Sequence, residues 1–144
     1  MLLRRSQTLL AALWGGLLLC VAVVAAPSAF AVLERAQAGL VVARLFALEA
    51  NVSMAAALLL ILIERRLNSA ALNSAALSAN VLLPAGALFC TVAGYFALQP
   101  MMAAAKMGQG NLSFLTLHAI SFGFYGLKTV LVLVLAWRTS KTAV

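Results

Sequence analysis

Arg44, Glu49, His118 and Lys128 are the residues through which this chain could do chemistry, because each lies in or beside a long apolar run. A charged side chain at the centre of a membrane helix costs about 2.5 to 3.5 kcal/mol, so such residues imply pairing, a polar path or a binding site. His118, Ser121, Tyr125 and Lys128 follow at i, i+3, i+7 and i+10, within about 80° of one another on a helix. In the run before them, Arg44 and Asn51 share one helical face, and Glu49 and Ser53 share another roughly 140° away. The candidate polar pocket is therefore Arg44, Glu49, Asn51, His118, Ser121, Tyr125 and Lys128, with Glu49 and His118 as its titratable members. Two readings stay open. In one, Glu49 and Lys128 neutralise each other as structural glue, Arg44 snorkels to the headgroups and His118 makes an interhelical hydrogen bond. In the other, the set lines a pocket or pathway that opens on the outer side.

The same inventory leaves little for catalysis. Three acidic residues and one histidine give no second carboxylate near Glu49, no HExxH and no clustered Cys and His, so no metal is expected. The absence of aspartate removes a Ser-His-Asp arrangement. A haem with two histidine ligands would need His118 from each of two subunits. Cys20 and Cys90 sit singly in apolar runs and read as small packing residues. No glycine run ending in Lys-Ser/Thr suggests a phosphate loop. The expectation is a protein without a cofactor and without enzymatic activity.

The elements that must position these residues are membrane helices. With 65% apolar and 9% charged residues, the chain lies far from the soluble range of roughly half apolar and a quarter charged. A bilayer core of about 30 Å needs about 20 apolar residues as a helix. Four stretches qualify: Thr8 to Ala31, Gly39 to Ile63, Asn80 to Gln99 and Ser113 to Trp137. The fold class is all-α, a polytopic bundle of four transmembrane helices forming one domain over residues 1–144. The tandem NSAAL between the second and third reads as a linker or as early turns of the third helix, and Pro100 should end or kink that helix.

The net charge of +7 reads as a topology signal rather than a nucleic-acid surface, because the basic residues form no polar face. Arg4, Arg5, Arg65, Arg66, Arg138 and Lys141 fall on one side, with Arg35 and Lys106 on the other. That bias places both termini in the cytoplasm. Arg4-Arg5 and Ala29-Phe30-Ala31 also resemble a signal peptide and its cleavage site. The apolar core from Leu9 to Ala26 is long for a signal, however, and the charge pattern balances only if the first helix is kept. Pro27 to Ala38 then form the external turn. Insertion energetics add a constraint on the second span. About 13 Leu, Ile, Val and Phe residues at roughly 0.3 to 0.6 kcal/mol each barely offset Arg44 and Glu49, so its polar side should meet another helix or a cavity. On the third, Gly86, Cys90 and Gly94 are spaced by four, a seam for close helix packing.

Five stretches carry a family resemblance: LLAALWGG at Leu9, APSAF at Ala26, AGLVVARLFALE at Ala38, Gln99-Pro100, and FLTLHAIS at Phe114. In order and spacing the chain resembles the bacterial domain-of-unknown-function family 4149 (DUF4149), which is similar to the eukaryotic transmembrane protein 205, over roughly Leu9 to Trp137. The resemblance implies a retained first helix, a four-helix protein of the bacterial inner membrane and no established enzymatic activity. It also implies that Pro27, Phe30, Gly39, Arg44, Phe46 and His118 occupy family-motif positions. One departure is Tyr125, where the family often carries a polar amide. Two functions are expected from different classes. One is binding or translocation of a small solute or ion through an outward-opening polar pocket between helices two and four. The alternative is a non-catalytic structural or accessory subunit of a membrane complex. The expected surroundings are the lipid bilayer with a second copy or a membrane-complex partner, and no nucleic acid.

Overall fold

A computed structural model describes residues 1–70 and 78–142. Its four helices are α1 (Leu2–Val32), α2 (Arg35–Ala70), α3 (Ala79–Lys106) and α4 (Phe114–Thr142). Each is long and apolar enough to cross a membrane, and the described residues contain no strand. Every helix outruns the span expected for it. Hydropathy marks the part that matches hydrocarbon, whereas flanks such as Arg35-Ala-Gln-Ala and Met101-Met-Ala-Ala-Ala-Lys continue the helix through their high intrinsic propensity. The expected turn from Pro27 to Ala38 is corrected accordingly. It comprises the end of α1, a link of only Leu33 and Glu34, and the first turn of α2. Of the NSAAL repeat, 68–70 extend α2 and 71–77 lie outside the described residues.

Pro100 does not end its helix, since α3 runs on to Lys106. Proline at position i collides with the carbonyl at i−4, which is Phe96 for Pro100 and Val23 for Pro27. Both of those residues lie in wide, π-helical turns, Val92–Ala97 in α3 and Cys20–Ala25 in α1. The extra residue in each turn carries the carbonyl out of the ring's path, so the helix absorbs the proline without breaking.

α1 and α3 each pack on both α2 and α4, so the helices form a ring in which α2 and α4 stand diagonally across the axis. The core is built from Ala11, Trp14 and Leu18 of α1, Ala56, Ala57 and Leu60 of α2, Ala87 of α3, and Val132 and Leu135 of α4. Alanines on α2 and α3 let the backbones approach closely, and the larger side chains of α1 and α4 fill the space between them. The seam expected on α3 meets α4. Leu131 lies against Gly86, Cys90 is buried, and Gly94 is so close to Phe124 Cβ that no side chain would fit there. At the end of α3, backbone N–H groups of Met107, Gly108 and Gln109 bond back to Ala104 and Ala105, and Gly108 takes φ 72° to make the turn.

Candidate functional site

The centre of the bundle is held by charge. Lys128 Nζ of α4 donates to Glu49 Oε1 of α2 at 2.8 Å, with the two side chains 3% and 2% exposed. The pair spans the ring's diagonal. The Ser53 hydroxyl, one turn along α2, donates to the same Oε1, and Trp14 Nε1 of α1 donates to Ser53 Oγ at 2.8 Å. Lys128 Nζ lies 4.7 Å from the centroid of the Tyr125 ring, a cation–π contact strengthened by exclusion of water. Tyr125 meets Phe46 edge to face at 5.2 Å, and its hydroxyl donates to the Leu18 carbonyl at 2.8 Å. One network therefore fastens α1, α2 and α4. Both donors to Glu49 reach Oε1, and Oε2 accepts no hydrogen bond from the described residues.

α4 also binds the two wide turns. Tyr125 takes Leu18 O just ahead of the turn in α1, and Ser121 Oγ donates to Gly94 O, inside the turn in α3, at 2.7 Å. These hydroxyls satisfy carbonyls where the helical register is irregular.

The remaining sequence-predicted residues lie elsewhere. Arg44 is exposed on the outside of α2 and makes no hydrogen bond, ion pair or ring contact with the described residues. Asn51 is exposed on the same face and donates to its own helix, to Ala47 O at 2.8 Å. His118 is exposed and stacks on Phe114 at 5.8 Å, with Lys106 Nζ 4.9 Å from the same ring. On α4 the inward direction at this level is marked by buried Leu117, and His118 points about 100° away from it. Glu49, Ser121, Tyr125 and Lys128 are thus brought into the bundle's interior, while Arg44, Asn51 and His118 are not. Among the motif positions, Phe46 packs on Tyr125, Gly39 is half-buried, and Pro27 and Phe30 are exposed.

Sequence reasoning missed a second polar layer at the opposite end of the bundle. Gln7 Nε2 donates to Glu64 Oε2 at 2.7 Å and Ser78 Oγ donates to Glu64 Oε1 at 3.1 Å, which holds this buried carboxylate with neutral groups. Glu64 reads in sequence as one more flank charge beside Arg65 and Arg66. Only its position on the Leu60 face, four residues further on, hints that it points inward. Trp14 was likewise hidden in an apolar run, although its indole N–H needs a partner when buried. Among the described residues no group of three His, Cys, Asp or Glu could hold a metal ion.

A multi-pass membrane protein, built as a four-helix bundle around a buried ion pair, is the class that this fold and site define. The profile of DUF4149, a domain of unknown function, matches residues 9–111, more than half of the chain, and the chain belongs to that family. The match takes in the α2 half of the ion pair and stops before α4, so Lys128 and His118 lie outside it. No curated protein and no solved structure matches the chain.

Proposed function

We propose that the protein is a non-catalytic structural or accessory subunit of a membrane complex. The observation that carries this reading is the Glu49–Lys128 pair, 2% and 3% exposed and tied through Ser53 and Trp14 to a third helix. A centre fastened in this way fixes helix register and leaves the outer faces free to pack against a partner. In this reading the bundle sits in the bacterial inner membrane. Arg4, Arg5, Arg65, Arg66, Arg138 and Lys141 face the cytoplasm, in keeping with the positive-inside bias, and the kinship extends to the eukaryotic transmembrane protein 205. The test is to purify the full chain from its native membrane into nanodiscs and measure its native mass. A second membrane protein in fixed stoichiometry is expected, and a particle containing this chain alone overturns the reading.

One observation favours a second reading, a path for a small cation or solute between α2 and α4. Glu49 Oε2 has no donor among the described residues and is free to accept one. Proteoliposomes decide it. Proton or alkali-cation flux that disappears in Glu49→Gln supports the path, and flux equal to that of empty vesicles rejects it.

A further inference from the structure

Arg44 and Asn51 lie seven residues apart on the outward face of α2, and both are exposed. Seven residues return a helix to nearly the same face. Leu58 continues their row, while Val41, Leu48 and Ala55 form a second row four residues offset, and all are exposed. Two such rows make the heptad seam by which one helix receives the knobs of another. Most membrane helix pairs cross in the geometry that this pattern specifies.

Depth shows what the seam lacks. Asn51 lies about 24 Å along the helix from Arg35 and about 20 Å from Glu64, so it sits near mid-bilayer, with Arg44 about 10 Å further toward the Arg35 end. A lipid phosphate can meet Arg44 by snorkelling. Nothing in the acyl layer can meet Asn51, whose hydrogen bond to Ala47 O leaves its amide oxygen without a donor. A second copy of this chain could pair Asn51 with Asn51, but it would set Arg44 against Arg44. The chain's own three carboxylates cannot relieve that repulsion. Glu49 is bound to Lys128, Glu64 is held by Gln7 and Ser78, and Glu34 lies in the α1–α2 link about 15 Å from Arg44 along the axis.

We infer that the outward face of α2 seats one transmembrane helix of a different protein, carrying a carboxylate level with Arg44 and a hydrogen-bonding side chain level with Asn51. This rests on the reading of the chain as a subunit of a complex and names the chemistry of its partner. Asn51 sets the register and Arg44 selects the partner, because an unpaired arginine rejects helices that bring no negative charge.

The test uses the full chain in phosphatidylcholine vesicles with a synthetic leucine–alanine helix bearing Glu one heptad above Asn, its association followed by energy transfer. The Glu/Asn probe should bind at least about tenfold more tightly than an all-apolar probe. Arg44→Leu should abolish that preference, and Asn51→Leu should weaken binding about three- to thirtyfold. Both side chains are exposed, so an unchanged melting temperature verifies that each variant is folded. Equal binding of the two probes overturns the inference. So does a Leu48→Cys disulfide forming between two copies of the chain, or association that follows added phosphatidylglycerol rather than the probe's Glu. Native membranes separate this inference from the reading beneath it. If the chain purifies with a second protein that a photo-crosslinker captures at Phe122, an exposed residue of α4, but not at Leu48, the seam is wrong and the accessory role stands. If the chain purifies alone, the accessory role fails.

Discussion

The Glu49–Lys128 pair makes the sharpest prediction, because its cost depends on whether the centre of the bundle is dry. At 2.8 Å and 2–3% exposure, neither side chain has water to fall back on. Glu49→Gln keeps an oxygen that can accept from Ser53 and Lys128 and removes only the negative charge, leaving the buried Lys128 ammonium without a counter-ion, its charge faced only by the Tyr125 ring. Lys128→Met removes the cation and leaves a carboxylate with one hydroxyl donor. Breaking a buried pair from either side costs about 3 to 5 kcal/mol, whereas replacing both partners by neutral groups is often close to free. The double variant Glu49→Gln/Lys128→Met should therefore be more stable than either single variant, with a coupling energy of at least about 3 kcal/mol. The charge exchange Glu49→Lys/Lys128→Glu should likewise recover most of the folding lost in the singles. Reversible unfolding in mixed detergent micelles, with Trp14 as the fluorescent reporter, measures all of these. Single variants that each cost less than about 1 kcal/mol, and that add without coupling, would rule out a dry ion pair at the centre of the bundle. That outcome would show hydrated charges in an open cavity and would favour translocation over a structural role.

Other consequences follow from the same packing. Gly94→Leu drives a side chain into Phe124 Cβ and should cost at least about 1 to 3 kcal/mol, whereas Gly16→Leu, with nothing within 4 Å of an added Cβ, should leave the melting temperature unchanged. Ser121→Ala and Tyr125→Phe each strip a hydroxyl from a carbonyl at a wide turn and should each cost about 0.5 to 1.5 kcal/mol by thermal denaturation. In hydrogen exchange, Ser121→Ala should speed the amides of Val92–Ala97 and Tyr125→Phe those of Cys20–Ala25. Trp14→Phe should leave an emission that brominated detergent quenches fully, because Trp14 is buried against Ser53 whereas Trp137 faces outward from the bundle.

The fold was largely legible because hydrocarbon thickness imposes a length and an apolarity that the sequence displays four times over. The helix ends were not: Arg35-Ala-Gln-Ala is polar enough to leave a hydropathy window yet helical by propensity, and the mainly apolar Met101 to Lys106 lies beyond a proline that the helix runs through. Pro100 marked an irregularity without saying whether the helix would end or kink there. A proline reads as a stop only if the turn before it is regular, and nothing in VAGYFA announces a wide one. Within the site, helical periodicity placed Glu49 beside Ser53 and Lys128 beside Tyr125, but it carries no information about which neighbour a stripe will face. His118 shows that gap. It shares the stripe within about 80°, but it sits at the edge where the inward direction passes through Leu117.

Arg44 and Glu49 are five residues apart on one helix, and the structure treats their charges in opposite ways. Insertion energetics could say only that α2 cannot carry both into lipid unassisted. The fold answers for Glu49 by supplying Lys128 and Ser53 from within the bundle, and it leaves Arg44 and Asn51 facing outward without an equivalent. A chain that had only to fold could replace both outward residues with leucine and gain stability in the membrane. Their presence on a heptad seam places the unmet demand outside this chain. The stability of the Arg44→Leu/Asn51→Leu variant tests that inference directly. It should melt no lower than the parent while losing the Glu-bearing probe, and a variant that unfolds would return both residues to a purely structural role.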